Sequence, residues 1–193
     1  ILDVSKEDDL SSALKAALLP KLPEYLQDPS CSDGELMQRT LLRLERLIRD
    51  VQAASLTAAD IGSKVRARVE SVNGVLCPRF HQDHVPLRGC VIMAGETTDV
   101  LPEATVDRVA LGRLPDMGIT APSTEEWNEI VAGGKAPEGL VHKPPVAGTL
   151  LMKGLKWRDP QTGSASHLAA VHRSPPDSGR RLLLAVDVKL LDA

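Results

Sequence analysis

The chain has 193 residues, 42% of them hydrophobic, and a formal net charge of −3. That length suits one domain with an adequate core, and the negative balance argues against a dominant phosphate-binding role. The four aromatics, Tyr25, Phe80, Trp127 and Trp157, are too few for a base-stacking platform, so nucleic acid is not an expected partner and the core must come from Leu, Val, Ile and Ala.

In chain order, residues 9–19 read as a short helix stopped before Pro20. Asp33-Gly34-Glu35 opens a longer one through Val51, with Leu36, Leu41, Leu44, Leu47, Ile48 and Val51 at helical spacing and Arg39, Arg43, Arg46 and Arg49 largely opposite. A stripe of this width predicts a helix laid on the outer face of a β unit. The competing expectation is a surface for a protein partner at residues 35–51. Residues 65–72 alternate apolar with charged and read as a half-buried strand, Asn73-Gly74 supplies a turn, and residues 75–83 read as the returning strand. Residues 87–93 form another strand after Pro86.

Residues 105–145 are punctuated by proline and glycine and hold one predicted helix at 123–131, where Ser123 and Glu126 have capping-box spacing. This insert reads either as a lid over a site or as a surface excursion. Residues 148–154, 169–172 and 181–188 are further strand candidates. The expected fold class is α+β and mainly β, in a single domain spanning 1–193. A helical part occupies residues 1–60, and a β-rich core with the insert occupies 61–193.

The chemistry concentrates in Phe80-His81-Gln82-Asp83-His84 and, some ninety residues later, in His172 with Arg180 and Arg181 behind it. Alternate residues of an extended strand share a face, so His81 and Asp83 can converge on one ion. His172 would complete two imidazoles and a carboxylate, a set that suits non-heme Fe(II) and leaves positions open. A guanidinium from Arg181 or Arg180 suits an acidic co-substrate. Strand parity puts Arg181 with Leu183 and Ala185, and Arg180 with Leu182 and Leu184.

Two other readings stand beside this one. His81, Asp83 and His172 could form a metal-free hydrogen-bonded cluster, with Arg181 paired to Asp187 or Glu70. Zinc is the alternative metal, through Cys77 and Cys90 with His81 and His84. Cys31, Cys77 and Cys90 are odd in number and widely spaced, so a reducing intracellular compartment is expected rather than a disulfide framework. His142 and His167 read as loop histidines. No apolar run reaches bilayer-spanning length. The first residue is Ile1, which leads to the expectation of a processed or trimmed start, with removal of an organellar transit peptide as one route.

The chain resembles the family catalogued as domain of unknown function 1826. The resemblance runs through Cys77-Pro78-Arg79-Phe80-His81-Gln82-Asp83, Val85 with Leu87-Arg88, Leu101-Pro102-Glu103, Val106-Asp107-Arg108, Leu151-Met152-Lys153-Gly154 and Val171-His172-Arg173-Ser174-Pro175, followed by Arg180-Arg181-Leu182-Leu183-Leu184. More distantly, the order His81, Asp83, Gly148, His172 and Arg181 resembles the Fe(II)- and 2-oxoglutarate-dependent oxygenases, particularly the phytanoyl-hydroxylase-like group. That resemblance implies a double-stranded β-helix of jelly-roll or cupin type. It also implies Fe(II) held by His81, Asp83 and His172, and 2-oxoglutarate held by Arg181 or Arg180. The stretches Cys90–Gly95 and Glu96–Val100 lack the aromatics expected from the nearer family. The alternative expectation is therefore a non-catalytic scaffold or accessory subunit of a larger, organellar assembly that retains an oxygenase-like fold.

Overall fold

The computed structural model describes residues 2–4, 33–56, 64–113, 122–159, 162–165, 168–176 and 179–189. The elements are β1 (Leu2–Val4), α1 (Asp33–Leu56), β2 (Lys64–Asn73), β3 (Leu87–Ala94), β4 (Asp99–Leu101), α2 (Arg108–Gly112), α3 (Thr124–Val131), β5 (Thr149–Lys153), β6 (Val171–Arg173) and β7 (Arg180–Lys189). The fold is α+β, with most strands in antiparallel sheets.

Five strands form one antiparallel sheet in the order β1-β2-β7-β3-β5, and β4 pairs with β6 in a second, smaller one. Isolated bridges widen the small sheet on both sides, joining His81 to His172 and His142 to Val100. The pairings nest: Asn73 lies opposite Arg180, His81 opposite His172, Leu87 opposite Lys153, and Val100 opposite His142.

The two faces of the large sheet differ in chemistry because side chains alternate along each strand. Val65 and Ala67 of β2, Leu87 and Val91 of β3, and Leu184, Val186 and Val188 of β7 pack with Leu44, Leu47, Ile48 and Val51 of α1 in one buried cluster. The apolar stripe of α1 is therefore used against the sheet. It is not the free partner surface that residues 35–51 offered on sequence grounds, although Leu42 on the same helix is exposed. The opposite face carries Arg68, Glu70, Arg88, Arg181 and Asp187, and it looks toward the small sheet across a cavity. A second cluster, Phe80, Leu101, Trp127, Val131, Ala132 and Val171, joins the insert to the small sheet.

Several expectations need correction. Residues 75–83 are not a strand returning beside β2; β2 pairs with β1 and β7, and within 75–83 only His81 makes a bridge. Pro78 has no N–H to give a ladder, and the N–H of Phe80 goes to the Asn128 side chain instead. The segment thus crosses from the large sheet to the small one. Residues 2–4, expected within a helical part, form edge strand β1. Helix α1 continues past Val51 to Leu56, and β4 and α2 had no counterpart among the expected elements. The capping box of α3 is present, with Ser123 and Glu126 each satisfying the other's backbone N–H. The helix expected at 9–19, together with Cys31 and His167, lies outside the described residues.

Gly89 sets the distance between α1 and the sheet. A Cβ there would sit 2.4 Å from a Val51 methyl and 2.8 Å from a Leu47 methyl. Gly89→Ala is expected to lower stability by about 1–3 kcal/mol through overpacking, read as a shifted midpoint in urea denaturation. Gly139→Ala, with nothing within 4 Å of its added methyl, is expected to stay within about 0.5 kcal/mol of the parent. Equal midpoints for both variants would contradict this packing.

Candidate metal centre

His81 and His172 are neighbours because their backbones bond reciprocally: His81 N–H donates to His172 O at 3.0 Å and His172 N–H to His81 O at 3.1 Å. Directly opposed residues of an antiparallel pair put their side chains on one face, and the two ring centroids lie 4.5 Å apart. The insert fixes the segment that carries His81. The Trp127 indole N–H donates to Phe80 O at 2.9 Å, Asn128 Oδ1 accepts from Phe80 N–H at 2.8 Å, and Asn128 Nδ2 donates to Pro78 O at 3.0 Å. Helix α3 therefore buttresses the site from behind, with Trp127 and Asn128 both buried.

Asp83 is not on a strand. Its loop is pinned by the chain after β5, where Gly154, Leu155 and Lys156 donate N–H groups to the carbonyls of Pro86, Asp83 and Val85. Asp83 Oδ2 lies 3.2 Å from His172 Nε2, and Oδ1 lies 3.8 Å from His81 Nε2. One ligand atom from each of His81, Asp83 and His172 falls within 4.8 Å of the others, and this is the group of metal-ligating residues that converges among the described residues. Each histidine also turns Nδ1 to a backbone carbonyl two residues earlier, His81 to Arg79 at 2.9 Å and His172 to Ala170 at 3.4 Å. An imidazole that donates from Nδ1 presents its Nε2 lone pair, the tautomer that metal ligation through Nε2 requires.

Electrostatics favour the neutral state at His81. Burial, helped by the His172 charge, lowers the pKa of His81 against opposing pulls from the Arg79 carbonyl and Asp83, so its ring is neutral at pH 7. Burial pushes the Asp83 carboxyl up, but the hydrogen bond and charge of His172 and the charges of Arg88 and His81 outweigh it and hold the carboxyl low. A neutral imidazole lone pair facing a carboxylate is repulsive unless a cation or proton lies between them.

A cavity of about 180 Å³ opens beside the triad, lined by His81, His172, Arg88, Arg181, Thr98 and Met152 among others. Arg181 is buried and donates from Nη2 to Thr98 Oγ1 at 3.4 Å, and Leu183 and Ala185 line the cavity with it. Arg180 is exposed and does not line it. Asp187 and Glu70 pair with other groups: Asp187 with Arg88 and Arg68, and Glu70 with Arg68. Larger clefts of about 490 and 590 Å³ lie elsewhere on the surface, but among the described residues no convergent metal-ligating group lines them. Cys77 and Cys90 border the triad's cavity without joining the ligand group, and burial pushes the Cys90 thiol up to about 11. His84 is exposed and also outside the group, so the Cys/His zinc set is not assembled.

Arg88, which the sequence placed within the family resemblance, is the residue whose role at the site sequence reasoning missed. Its Nη1 donates to Asp83 Oδ2 at 2.7 Å, while Nε and Nη2 grip Asp187 at 2.5 and 3.1 Å. The available signal was a charged residue on the face of β3 opposite Leu87, Val91 and Met93, where a cavity rather than solvent has to receive it.

Two measurements follow from this geometry. A Cβ on Gly154 would lie 2.0 Å from Val85 O and 2.8 Å from Asp83 O, so Gly154→Ala is expected to cost about 1–3 kcal/mol and to move the His81 and His172 ring signals in NMR spectra; unmoved signals would refute the pinning. Below the ordinary histidine value of 6.5 the unfolded chain binds a proton at His81 that the folded site resists. Stability therefore falls as pH drops from 6.5 through the lowered folded pKa. The Asp83 contribution is complete above 3.8 and is lost as pH falls through its lowered folded pKa. Denaturation midpoints between pH 7 and 5 are expected to fall less steeply in His81→Gln than in the parent, and equal slopes would contradict the burial of His81.

The family model described as protein of unknown function (DUF1826) matches residues 10–187. No curated protein and no solved structure matches the chain. With a family model covering nearly its whole length, including β2 through β6, the triad and Arg181, the chain belongs to the DUF1826 family.

Proposed function

We propose that this protein is a non-heme Fe(II)- and 2-oxoglutarate-dependent oxygenase-like protein, with His81, Asp83 and His172 as the metal ligands and Arg181 as the co-substrate's carboxylate anchor. The observation that carries the reading is the convergence of two Nδ1-anchored imidazoles and one carboxylate within 4.8 Å, beside a cavity that also holds a buried arginine. Its size is below the roughly 300–1,000 Å³ usual for drug-sized ligands, which suits a small acid. The topology supports a double-stranded β-helix of jelly-roll type, because the nested antiparallel pairings alternate between a large and a small sheet.

The donor set fits iron: two neutral nitrogens and one carboxylate oxygen, all from one side, leave the remaining positions open. When bound, the metal supplies the redox chemistry by which dioxygen and a 2-oxo acid are consumed. The chain's own residues do the positioning. The Arg79 and Ala170 carbonyls hold the two rings. Arg181, with Thr98 beside its guanidinium, offers the planar fork that a carboxylate prefers. Met152, Leu183 and Ala185 line the cavity with apolar surface, which limits access of water. Arg180, exposed on the other parity, has no part in it.

A second reading has its own observation. Arg88 at 2.7 Å and His172 at 3.2 Å already satisfy Asp83 Oδ2, so the cluster can persist without an ion in a non-catalytic scaffold or accessory subunit. Zinc in place of iron would favour a metal-handling role. Anaerobic titration with Fe(II) and then 2-oxoglutarate separates these readings. The oxygenase reading expects one Fe(II) per chain and a weak visible charge-transfer band on adding the acid. Asp83→Ala should abolish the band, and Arg181→Gln should weaken 2-oxoglutarate binding at least about tenfold while sparing Fe(II). Arg180→Gln should leave both unchanged. Absence of metal uptake and of the band in the parent would remove the oxygenase reading.

A further inference from the structure

Arg88 stands at the centre of a chain of charges that crosses three neighbouring strands of the large sheet. Arg68 on β2 reaches Asp187 Oδ2 on β7 at 3.1 Å, Asp187 takes Arg88 on β3 at 2.5 and 3.1 Å, and Arg88 reaches Asp83 Oδ2 at 2.7 Å. Asp187 and Arg88 are direct cross-strand partners in the sheet register, and the far end is closed by Glu70, which Arg68 Nη1 reaches at 2.8 Å. Asp187 is only 6% exposed. Two of the three donor nitrogens that Arg88 uses are thus committed to a buried, rigidly registered carboxylate, and the third points at the metal-site aspartate. Burial lowers the Arg88 pKa, but the hydrogen bond and charge of Asp187 and the charge of Asp83 outweigh it and raise the value overall, so the guanidinium stays charged.

We infer that Arg88 is the positioning residue of the metal centre: anchored through Asp187 and Arg68, it holds Asp83 Oδ2 and so reserves Oδ1 as the single carboxylate oxygen offered to the ion. This rests on the metal-centre reading of His81, Asp83 and His172. Asp83 sits on a loop whose backbone is pinned from β5, and the rotation of its carboxylate is set by side chains outside that loop, Arg88 at 2.7 Å and His172 at 3.2 Å, both on Oδ2. Without Arg88 the group can turn to offer both oxygens, which fills one of the open positions a substrate would need. A partner that orients a ligand in this way acts through the ligand rather than on the ion, and removal of such partners typically costs 10–100-fold in metal affinity.

Co(II) titration of the full chain, followed through its visible bands, tests the inference. Arg88→Met is expected to weaken Co(II) binding about 10–100-fold and to change the band intensity, because a two-oxygen carboxylate raises the coordination number. Arg88→Lys, with one compact donor group in place of a fork, is expected to fall between the parent and Arg88→Met. Arg88→Met leaves the buried Asp187 without one of its arginines, so the double variant Arg88→Met/Asp187→Leu, which removes both members of the buried pair, keeps the test valid if the single variant does not fold. Parent-like affinity and bands in a folded Arg88→Met or double variant would overturn the positioning role while leaving the metal centre standing. Failure of the parent itself to take up Co(II) would overturn the metal centre and this inference together.

Discussion

The two hydrogen bonds exchanged by the backbones of His81 and His172 are the constraint on which the rest of the site depends. They join residues about ninety positions apart, so loop-closure entropy opposes them, and two hydrogen bonds net only about 1–3 kcal/mol. The bridge holds because its surroundings hold it. On one side Asn128 and Trp127 grip the segment before His81. On the other, β6 is flanked by β4, with Val100 opposite His172. Burial of Phe80, Leu101, Trp127 and Val171 in one cluster supplies the larger driving force. The insert, which the sequence offered as either a lid or a surface excursion, contributes half of that cluster.

Polarity is distributed in an unusual way around the large sheet. Stacked sheets ordinarily interdigitate apolar side chains across about 10 Å. In this protein the apolar face is turned outward to meet α1, and the face toward the small sheet carries arginines and carboxylates. Buried charges persist only when paired, and the pairing of Arg68, Glu70, Asp187, Arg88 and Asp83 meets that condition. The arrangement gives up part of a conventional sandwich core and gains a polar cavity between the sheets, while helix α1 restores the lost apolar burial on the far side.

Much of this was legible in the sequence wherever a local period governs. The stripe of α1, the alternation of β2 and the Ser123/Glu126 capping box follow from spacings of 3.6, 2 and 3. Alternation also puts Arg181 with Leu183 and Ala185, and those three line one cavity. The path between Gly74 and Pro86 was not legible, because that segment is held by side chains of Trp127 and Asn128 and by an isolated bridge from His81 to β6, not by a continuous ladder to the strand beside it in the sequence. Nor was the role of Arg88, since its pairing with Asp187 is a fact of register between strands a hundred residues apart, and register is set by the whole sheet. The edge strand Leu2–Val4 and the short strand Asp99–Leu101 are three residues each, too short for any periodic pattern.

The same two histidines and aspartate thus sit at the end of every structural chain of cause: the backbone bridge, the buttress from α3, the pinned loop at Gly154 and the arginine relay across the sheet. The central claim is that these side chains share one ion. X-ray diffraction at the iron absorption edge, from crystals grown anaerobically with Fe(II), tests it most directly. Shared ligation places an anomalous peak about 2.0–2.2 Å from Nε2 of His81, Nε2 of His172 and Oδ1 of Asp83, in the range usual for nitrogen and carboxylate ligands. A metal-loaded crystal with its peak elsewhere, or no peak while Asp83 keeps its contacts to His172 and Arg88, would contradict it.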